Sequence, residues 1–398
     1  MKAVGLVVEY NPFHNGHQYH LHTSKNETNA DVVIAVMSGS FLQRGEPALV
    51  SKWTRTEMAL RGGADLVFEL PYVYCTQHAG HFAYGAILLL EAAGCDTFCF
   101  GSEQGKIEPF LSLYHLMKEK KEEYDQYVVK YISEGNSYPK ASSLAFHELV
   151  TDVSDLPDLS KPNNILGFQY VKAAIDHSFR IKPYTIRRIH SDYHDQELPD
   201  QPIASATSIR KALMRQQNLE SISSYLPSKS FLLLRSYGEF HDWEKYWPLL
   251  KYKIMSSSTD ELETVYEAEE GIQYRMKDTV LEASTFNEFV SKIKTKRYTW
   301  TRIQRLCVHI LNHVKKEQMK LAMNQNSYLR ILGMTEKGRK YLNLNKKKIE
   351  LPLISRISSV QHLGLELDIS SAFIHSLALD FPSQKKLRKR EFQPPIFL

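Results

Sequence analysis

His14 and His17, three positions apart in the string His14-Asn15-Gly16-His17, are the residues whose type and spacing most directly imply chemistry. At a helix start, positions i and i+3 share a face with the unpaired backbone N–H groups and the positive end of the macrodipole. Such a face attracts an anion. Imidazoles there can donate to phosphate oxygens as charge builds on them in a transfer reaction, and Gly16 leaves bare backbone where a phosphate must approach. The same pair could instead cap the helix or ligate a metal, so the spacing needs its context. Val4, Leu6, Val7 and Val8 supply it, a short β-branched run of the kind buried on both faces of a parallel sheet, and Asn11-Pro12 ends the run just before the histidines.

A second group, Ser205-Ala-Thr-Ser-Ile-Arg210, places hydroxyls and an arginine in the first turns of another predicted helix. An N-cap followed by a surface arginine is its plain reading; a phosphate clamp is the functional one. Between the two groups, strands are expected at 31–37, 64–70, 97–100 and 182–189, with helices at 52–61, 80–93 and 165–176. Strand and helix alternating at this spacing implies right-handed crossovers and a parallel sheet, whose ligands bind at strand carboxyl ends. Gly101 and Ser102 occupy one such end. Asn163 or Asn164 is the expected N-cap of helix 165–176, and of the successive strand residues Arg187 and Arg188 only one can face a nucleotide. His78-Ala-Gly-His81 repeats the first spacing but lacks the Asn-Pro turn and precedes an apolar helix, so it reads as helix entry and packing.

The chain of 398 residues is long enough for two or three cores, and its 24% charged and 43% apolar composition is that of a globular protein. Met1-Lys2 leads straight into the first strand without a signal segment, and the longest apolar run, 82–93, is too short for a membrane span and is broken by Glu91. A cytoplasmic protein without a membrane partner is expected. Cys75, Cys95, Cys99 and Cys307 form no C-x-x-C pair and lie in apolar segments, so buried thiols are expected and no structural zinc site.

Charge is unevenly placed. Residues 1–200 hold 18 lysines and arginines against 25 aspartates and glutamates, net −7; residues 201–398 hold 32 against 20, net +12. A basic second half points to a polyanion. From residue 216 the strand and helix alternation gives way to predicted helices at 243–255, 258–263, 271–281, 286–293 and 300–315, with a strand, helix, strand pattern at 328–356. The segment 294–305 mixes cations with aromatics, so that Lys296, Arg297, Arg302 and Arg305 could neutralise phosphates while Trp300 stacks on an unpaired base. An amphipathic helix with Trp300 and Ile303 in the core fits the same residues. The basic run 385–390 is expected to be a mobile tail.

The string Glu9-Tyr10-Asn11-Pro12-Phe13-His14-Asn15-Gly16-His17 resembles the signature of the nucleotidyltransferase superfamily, and more closely that of the bacterial tRNA(Met) cytidine acetate ligases; Ser205 to Arg210 is similar to the second superfamily signature. That resemblance implies an α/β, Rossmann-like nucleotidyltransferase domain over 1–215 and a mostly α-helical, tRNA-binding region over 216–398. It implies ATP with Mg2+, acetate and elongator tRNA(Met), with no DNA partner: acetate is activated to acetyladenylate and the acetyl group passes to the wobble cytidine. ATP contacts would be Val7, Val8, Glu9, Tyr10, Asn11, Pro12, Phe13, His14, Asn15, Gly16, His17, Gln18, Tyr19, His20, Gly101, Asn163, Arg188 and Ser208, with His14, His17 and Arg210 catalytic. All lie before residue 216, so the first part is expected to activate a carboxylate if it folds alone. The rival enzyme reading is adenylyl transfer to a phosphorylated cofactor precursor; a non-enzymatic rival is an RNA-binding protein that keeps a nucleotide pocket. An aminoacyl-tRNA synthetase is disfavoured, since Leu226-Pro-Ser-Lys-Ser230 is a poor echo of the loop that class needs.

Overall fold

The apolar runs expected to be strands build one sheet in the computed structural model, which describes residues 1–136, 138–149, 156–189, 201–216, 218–357 and 360–398. Its strands are β1 (Ala3–Val8), β2 (Val32–Ser38), β3 (Leu66–Leu70), β4 (Thr97–Ser102), β5 (Lys182–Arg187), β6 (Leu329–Met334), β7 (Leu353–Ile354) and β8 (Ile396–Phe397). The spatial order is β5-β4-β1-β2-β3-β6-β7, with β8 also on β6. β1 to β5 run parallel, with Val4 opposite Val33 and Val36 opposite Phe68. The order reverses at β1, which has β2 on one side and β4 on the other, so the carboxyl ends of β1 and β4 frame the crevice.

Burial on both faces explains the unbroken apolar strands. Ala3, Ile34, Val36 and Phe68 point into one core with helices Ala79–Ala92 and Pro162–Asp176, while Val4, Leu6, Val33, Ala35 and Val67 point into the other, beneath helices Asn15–Glu27, Lys52–Arg61 and Ala206–Gln216. The mostly helical C-terminal region is also as expected: helices Trp243–Ser256, Ile272–Glu282, Phe286–Ile293 and Trp300–Leu311 pack together, and their Tyr246, Phe289, Ile303 and Leu306 continue the first of these cores.

Two features depart from the expectation. The strand pattern after 328 is not a separate unit: β6 pairs antiparallel with β3, so the sheet crosses the division at 215 and 216. The basic run 385–390 lies in an ordered helix, Phe381–Glu391, ending on the buried Glu391. Charge pairing accounts for both. Lys52 and Glu69 meet at 2.7 Å, Lys52 and Glu391 at 3.0 Å, and Arg330 reaches Glu69 at 2.8 Å and Glu391 at 2.7 Å. All four are almost wholly buried, where an ion without its partners is strongly destabilising.

Removing residues 216–398 should therefore unpair the edge of β3, strip two partners from Lys52 and Glu69, and expose the first core. Fragment 1–215 is expected to show no cooperative melt by circular dichroism beside the full-length chain; a sharp transition near that of the full chain would instead make it an autonomous domain.

Candidate nucleotide-binding site

The crevice between the carboxyl ends of β1 and β4 opens into a cleft of about 400 Å³, an ordinary size for a ligand site. Helix Asn15–Glu27 begins at its floor with a cap made of the two histidines. His14 Nδ1 accepts from Gly16 N at 3.1 Å, and His17 Nδ1 faces the His14 N–H at 3.4 Å, with the rings 3.7 Å apart. Capping and ligand binding are thus not alternatives here. An Nδ1 that accepts leaves the proton of neutral His14 on Nε2, where it can be donated away from the helix. Gly16 is required by closeness, since a Cβ there would sit 2.9 Å from His14 Cε1.

Electrostatics keep these rings neutral. Burial, reinforced by Arg188 and Arg210, pushes His14 down to about 3; burial and then Arg188 bring His20 to about 4. His17 is lowered well below the ordinary imidazole range by burial, then by His14, His20 and Arg188, with the Pro12 carbonyl opposing. Positive charge comes from the arginines. Arg188 follows β5 and passes over Gly101, whose Cβ would lie 3.3 Å from Arg188 Cγ and 3.8 Å from His20 Cδ2. His20 Nε2 is buried without a hydrogen-bond partner among the described residues, as expected of a donor or acceptor kept for a ligand.

Val7, Val8, Glu9, Tyr10, Asn11, His14, Gly16, His17, Tyr19, His20, Gly101, Asn163, Arg188 and Arg210 all line the cleft. The structure places the remaining candidates elsewhere. Phe13 is fully buried against Gly62, Asn15 Nδ2 ties the helix start to the carbonyls of Pro202 (2.8 Å) and Ser224 (2.9 Å), and Pro12 and Gln18 are outside the lining. Ser208 turns inward, its N–H held by Ser205 Oγ at 3.0 Å, so that Ser205 and Thr207 face the cleft instead. Asn163 is not the cap of its helix, which starts at Pro162; its Nδ2 donates to Glu103 Oε1 at 2.7 Å, and Glu103 Oε2 accepts from Asn164 N at 3.0 Å. Arg210 is in the cleft and already engaged, donating to Asn11 O at 2.9 Å and Glu46 Oε2 at 2.8 Å.

The loop after β2 is the part not singled out from sequence. Leu42, Gln43, Arg44 and Glu46 line the cleft, and the available signal was the loop's position at a strand carboxyl end beside β1. Its tip touches the helical region: Gly45 has φ +77°, a Cβ on it would collide with the Arg305 backbone, and its carbonyl accepts from Trp243 Nε1 at 2.9 Å. In helix Trp300–Leu311, Arg305 is paired with Glu267 at 2.9 Å, Arg302 with Glu269 at 3.1 Å while lying over Tyr298, and Trp300 packs against the core. Lys296 and Arg297 remain exposed, with no ion pair among the described residues.

A parallel sheet with a two-histidine helix start at its switch point, backed by arginines, is the arrangement of a nucleotidyltransferase. In agreement, the HIGH Nucleotidyl Transferase family model matches residues 1–391. The tRNA(Met) cytidine acetate ligase of Geobacillus sp. (strain WCH70) is 47% identical over 404 residues, covering 100% of both chains, and that of Bacillus subtilis (strain 168) is 47% identical, covering 98% of this chain and 96% of its own. The crystal structures of Thermotoga maritima TmcAL, apo and bound with alpha-thio ATP, superpose with TM-scores of 0.91 and 0.89 at 34% identity over 100% of both chains. The chain belongs to the tRNA(Met) cytidine acetate ligase family.

The close packing at Gly16 gives a direct check. Gly16→Ala should push the His14 ring off its cap and weaken ATP binding at least about tenfold, a loss of about 1.4 kcal/mol, in isothermal titration; unchanged affinity would mean that the His14 position is not used.

Proposed function

We propose that this chain activates acetate with ATP, giving acetyladenylate and pyrophosphate, and then acetylates the wobble cytidine of elongator tRNA(Met). The observation that carries the reading is the intact His14-Gly16-His17 cap at the floor of a cleft, one of whose lining loops, 42–46, packs through Gly45 against the basic helical half. A carboxylate oxygen attacks the α-phosphorus in line and pyrophosphate leaves, a reaction that needs positioning and charge stabilisation above all. His14 Nε2–H would donate to the phosphates, with His17 beside it. The cations Arg188 and Arg210 supply the charge the neutral rings lack, Arg210 sharing itself among Glu46, the Asn11 carbonyl and the leaving pyrophosphate. Gly101, Asn163 and Glu103 would hold the nucleoside end.

Mg2+ is expected with the nucleotide. Among the described residues no three His, Cys, Asp or Glu side chains gather into a cation site. The exocyclic amine of the cytidine then attacks the acetyl carbonyl and AMP leaves. A base in an anticodon loop is unstacked more readily than one in a duplex. Residues 1–215 would carry activation and the basic region 216–398 the tRNA, with Lys296 and Arg297 as its phosphate contacts. No described helix is long and apolar enough to cross a membrane, and use of ATP and tRNA fits the cytoplasm. Adenylyl transfer to a phosphorylated precursor is the weaker reading because it leaves the net positive charge of the second half unexplained.

Acetate-dependent exchange of pyrophosphate into ATP, run against a panel of carboxylic acids, tests the first step. His14→Asn preserves a capping oxygen and removes the Nε2 donor, so exchange is expected to fall by about 10²- to 10³-fold with the melting temperature nearly unchanged. Exchange at the wild-type rate would remove His14 from the chemistry.

For tRNA, Lys296→Ala with Arg297→Ala should lower affinity and flatten the log–log salt dependence by about 0.7 to 0.9 for each phosphate no longer neutralised. Filter binding at several salt concentrations reads this, with tRNA-independent exchange as the control. An unchanged slope would move the tRNA surface away from this segment.

A further inference from the structure

Acetyl transfer to an amine releases a proton, and the cleft must hold an acceptor for it. Among the described residues two carboxylates line the cavity, Glu9 and Glu46. Glu46 is ion-paired with Arg210 at 2.8 Å. The imidazoles are poor bases where they stand: burial depresses all three, and His14 Nδ1 is occupied by the helix cap. Glu9 differs on both counts. It follows the last residue of β1, its carbonyl is fixed by Arg55 Nη1 at 2.7 Å, and its Oε1 accepts from Gln43 N at 2.9 Å. It has no ion pair within 4 Å, and Oε2 has no partner, among the described residues.

Resting on the acetyl-transfer reading above, we propose that the Glu9 carboxylate receives the N4 proton of the acceptor cytidine. The amine nitrogen forms its bond to the acetyl carbon, the bond from that carbon to the AMP oxygen breaks, and AMP leaves with the electron pair. The amine proton passes to Glu9 and from there to solvent. A cytosine N4 amine is a donor that a glutamate ordinarily accepts, so the group that takes the proton also recognises the base. Its surroundings suit the task. Burial raises Glu9 above the usual carboxylate range; the Gln43 N–H opposes, Glu46 adds to the rise, and Arg44 and Arg210 lower it. Tyr170, on helix Pro162–Asp176, lines the cleft nearby, and Arg55, on helix Lys52–Arg61, stands behind. A base poised nearer neutrality transfers protons most effectively.

Glu9→Gln retains size and the acceptor for Gln43 N–H. Two rates are measured for each variant: acetate-dependent ATP–pyrophosphate exchange, and single-turnover acetylation of tRNA from supplied acetyladenylate across pH 5 to 9. The wild-type transfer rate should rise with pH through the raised carboxylate titration, because the ionised form accepts the proton. In Glu9→Gln transfer should fall about 10²- to 10⁴-fold more than exchange, and the rise should vanish. Glu9→Asp should restore part of the rate and the rise, which a purely structural role would not do. Transfer that keeps the wild-type pH profile in Glu9→Gln, or that falls no more than exchange, overturns the proposal. Wild-type protein with no acetate-dependent exchange overturns the acetate reading itself.

Discussion

A buried guanidinium, that of Arg55, sets the geometry of the cleft. It is wholly inaccessible and has no carboxylate at ion-pair distance among the described residues; instead it donates to the carbonyls of Glu9 at 2.7 Å and Ser38 at 3.0 Å, to that of Gly39, and at 3.4 Å to that of Val50. Carbonyls past the ends of two parallel strands have no partner in the next turn of chain, and an arginine with five donors in a rigid fork can satisfy several at once. Burial lowers Arg55 to about 10, and nearby Glu9 and Glu69 oppose the fall, so it stays charged at neutral pH. One side chain thereby locks the exits of β1 and β2, from which Glu9, the histidine cap and the 42–46 loop all depart.

Arg55 can lie there because its helix, Lys52–Arg61, is itself anchored by charge. One turn earlier Lys52 enters the cluster with Glu69, Arg330 and Glu391, and Trp53 Nε1 donates to Glu391 at 2.7 Å. Nearby, Asp368 accepts from Tyr72 N at 2.7 Å and from Tyr328 Oη, and burial raises its carboxyl to about 7. These contacts join the first ninety residues to the last seventy. The chain is consequently not divided structurally at 215 and 216: the net-basic half supplies β6 and the final helix, which complete the sheet on which the cleft is built.

Much of the cleft was legible because its signals are local. An apolar strand, an Asn-Pro break and histidines at helix spacing occupy adjacent positions, so His14, Gly16 and His17 could be read without knowing the fold; Gly101 and Ser102 could be placed at a strand exit, but the choice of Gly101 as a contact came from the family resemblance. What could not be read depends on distant pairing. Antiparallel addition of β6 to β3 brings Arg330 to Glu69, residues 261 positions apart, and no periodicity encodes it. The basic tail looked mobile because five of six residues are cationic; only Glu391, immediately after them, carries the burial that orders the helix. Arg302 and Arg305 looked available to phosphates because their partners, Glu269 and Glu267, lie on a loop before an earlier helix. Ser208 was chosen by motif position, whereas the helix turns Thr207 to the cleft and Ser208 to the core.

The distribution of charge inside the cleft bears on which acceptor it suits. Toward β4 and β5 lie His14, His17, His20 and Arg188, neutral donors plus a cation, matched to a polyphosphate. Toward the β2 loop the groups alternate, Glu9 and Glu46 with Arg44 and Arg210, close enough for each to influence the titration of Glu9. This second end has little net charge. A phosphorylated acceptor would have to share Arg210 with Glu46 and the leaving pyrophosphate, whereas a neutral aromatic amine needs no cation. The near-neutral end of the cleft therefore suits a base as acyl acceptor better than a phosphorylated cofactor precursor.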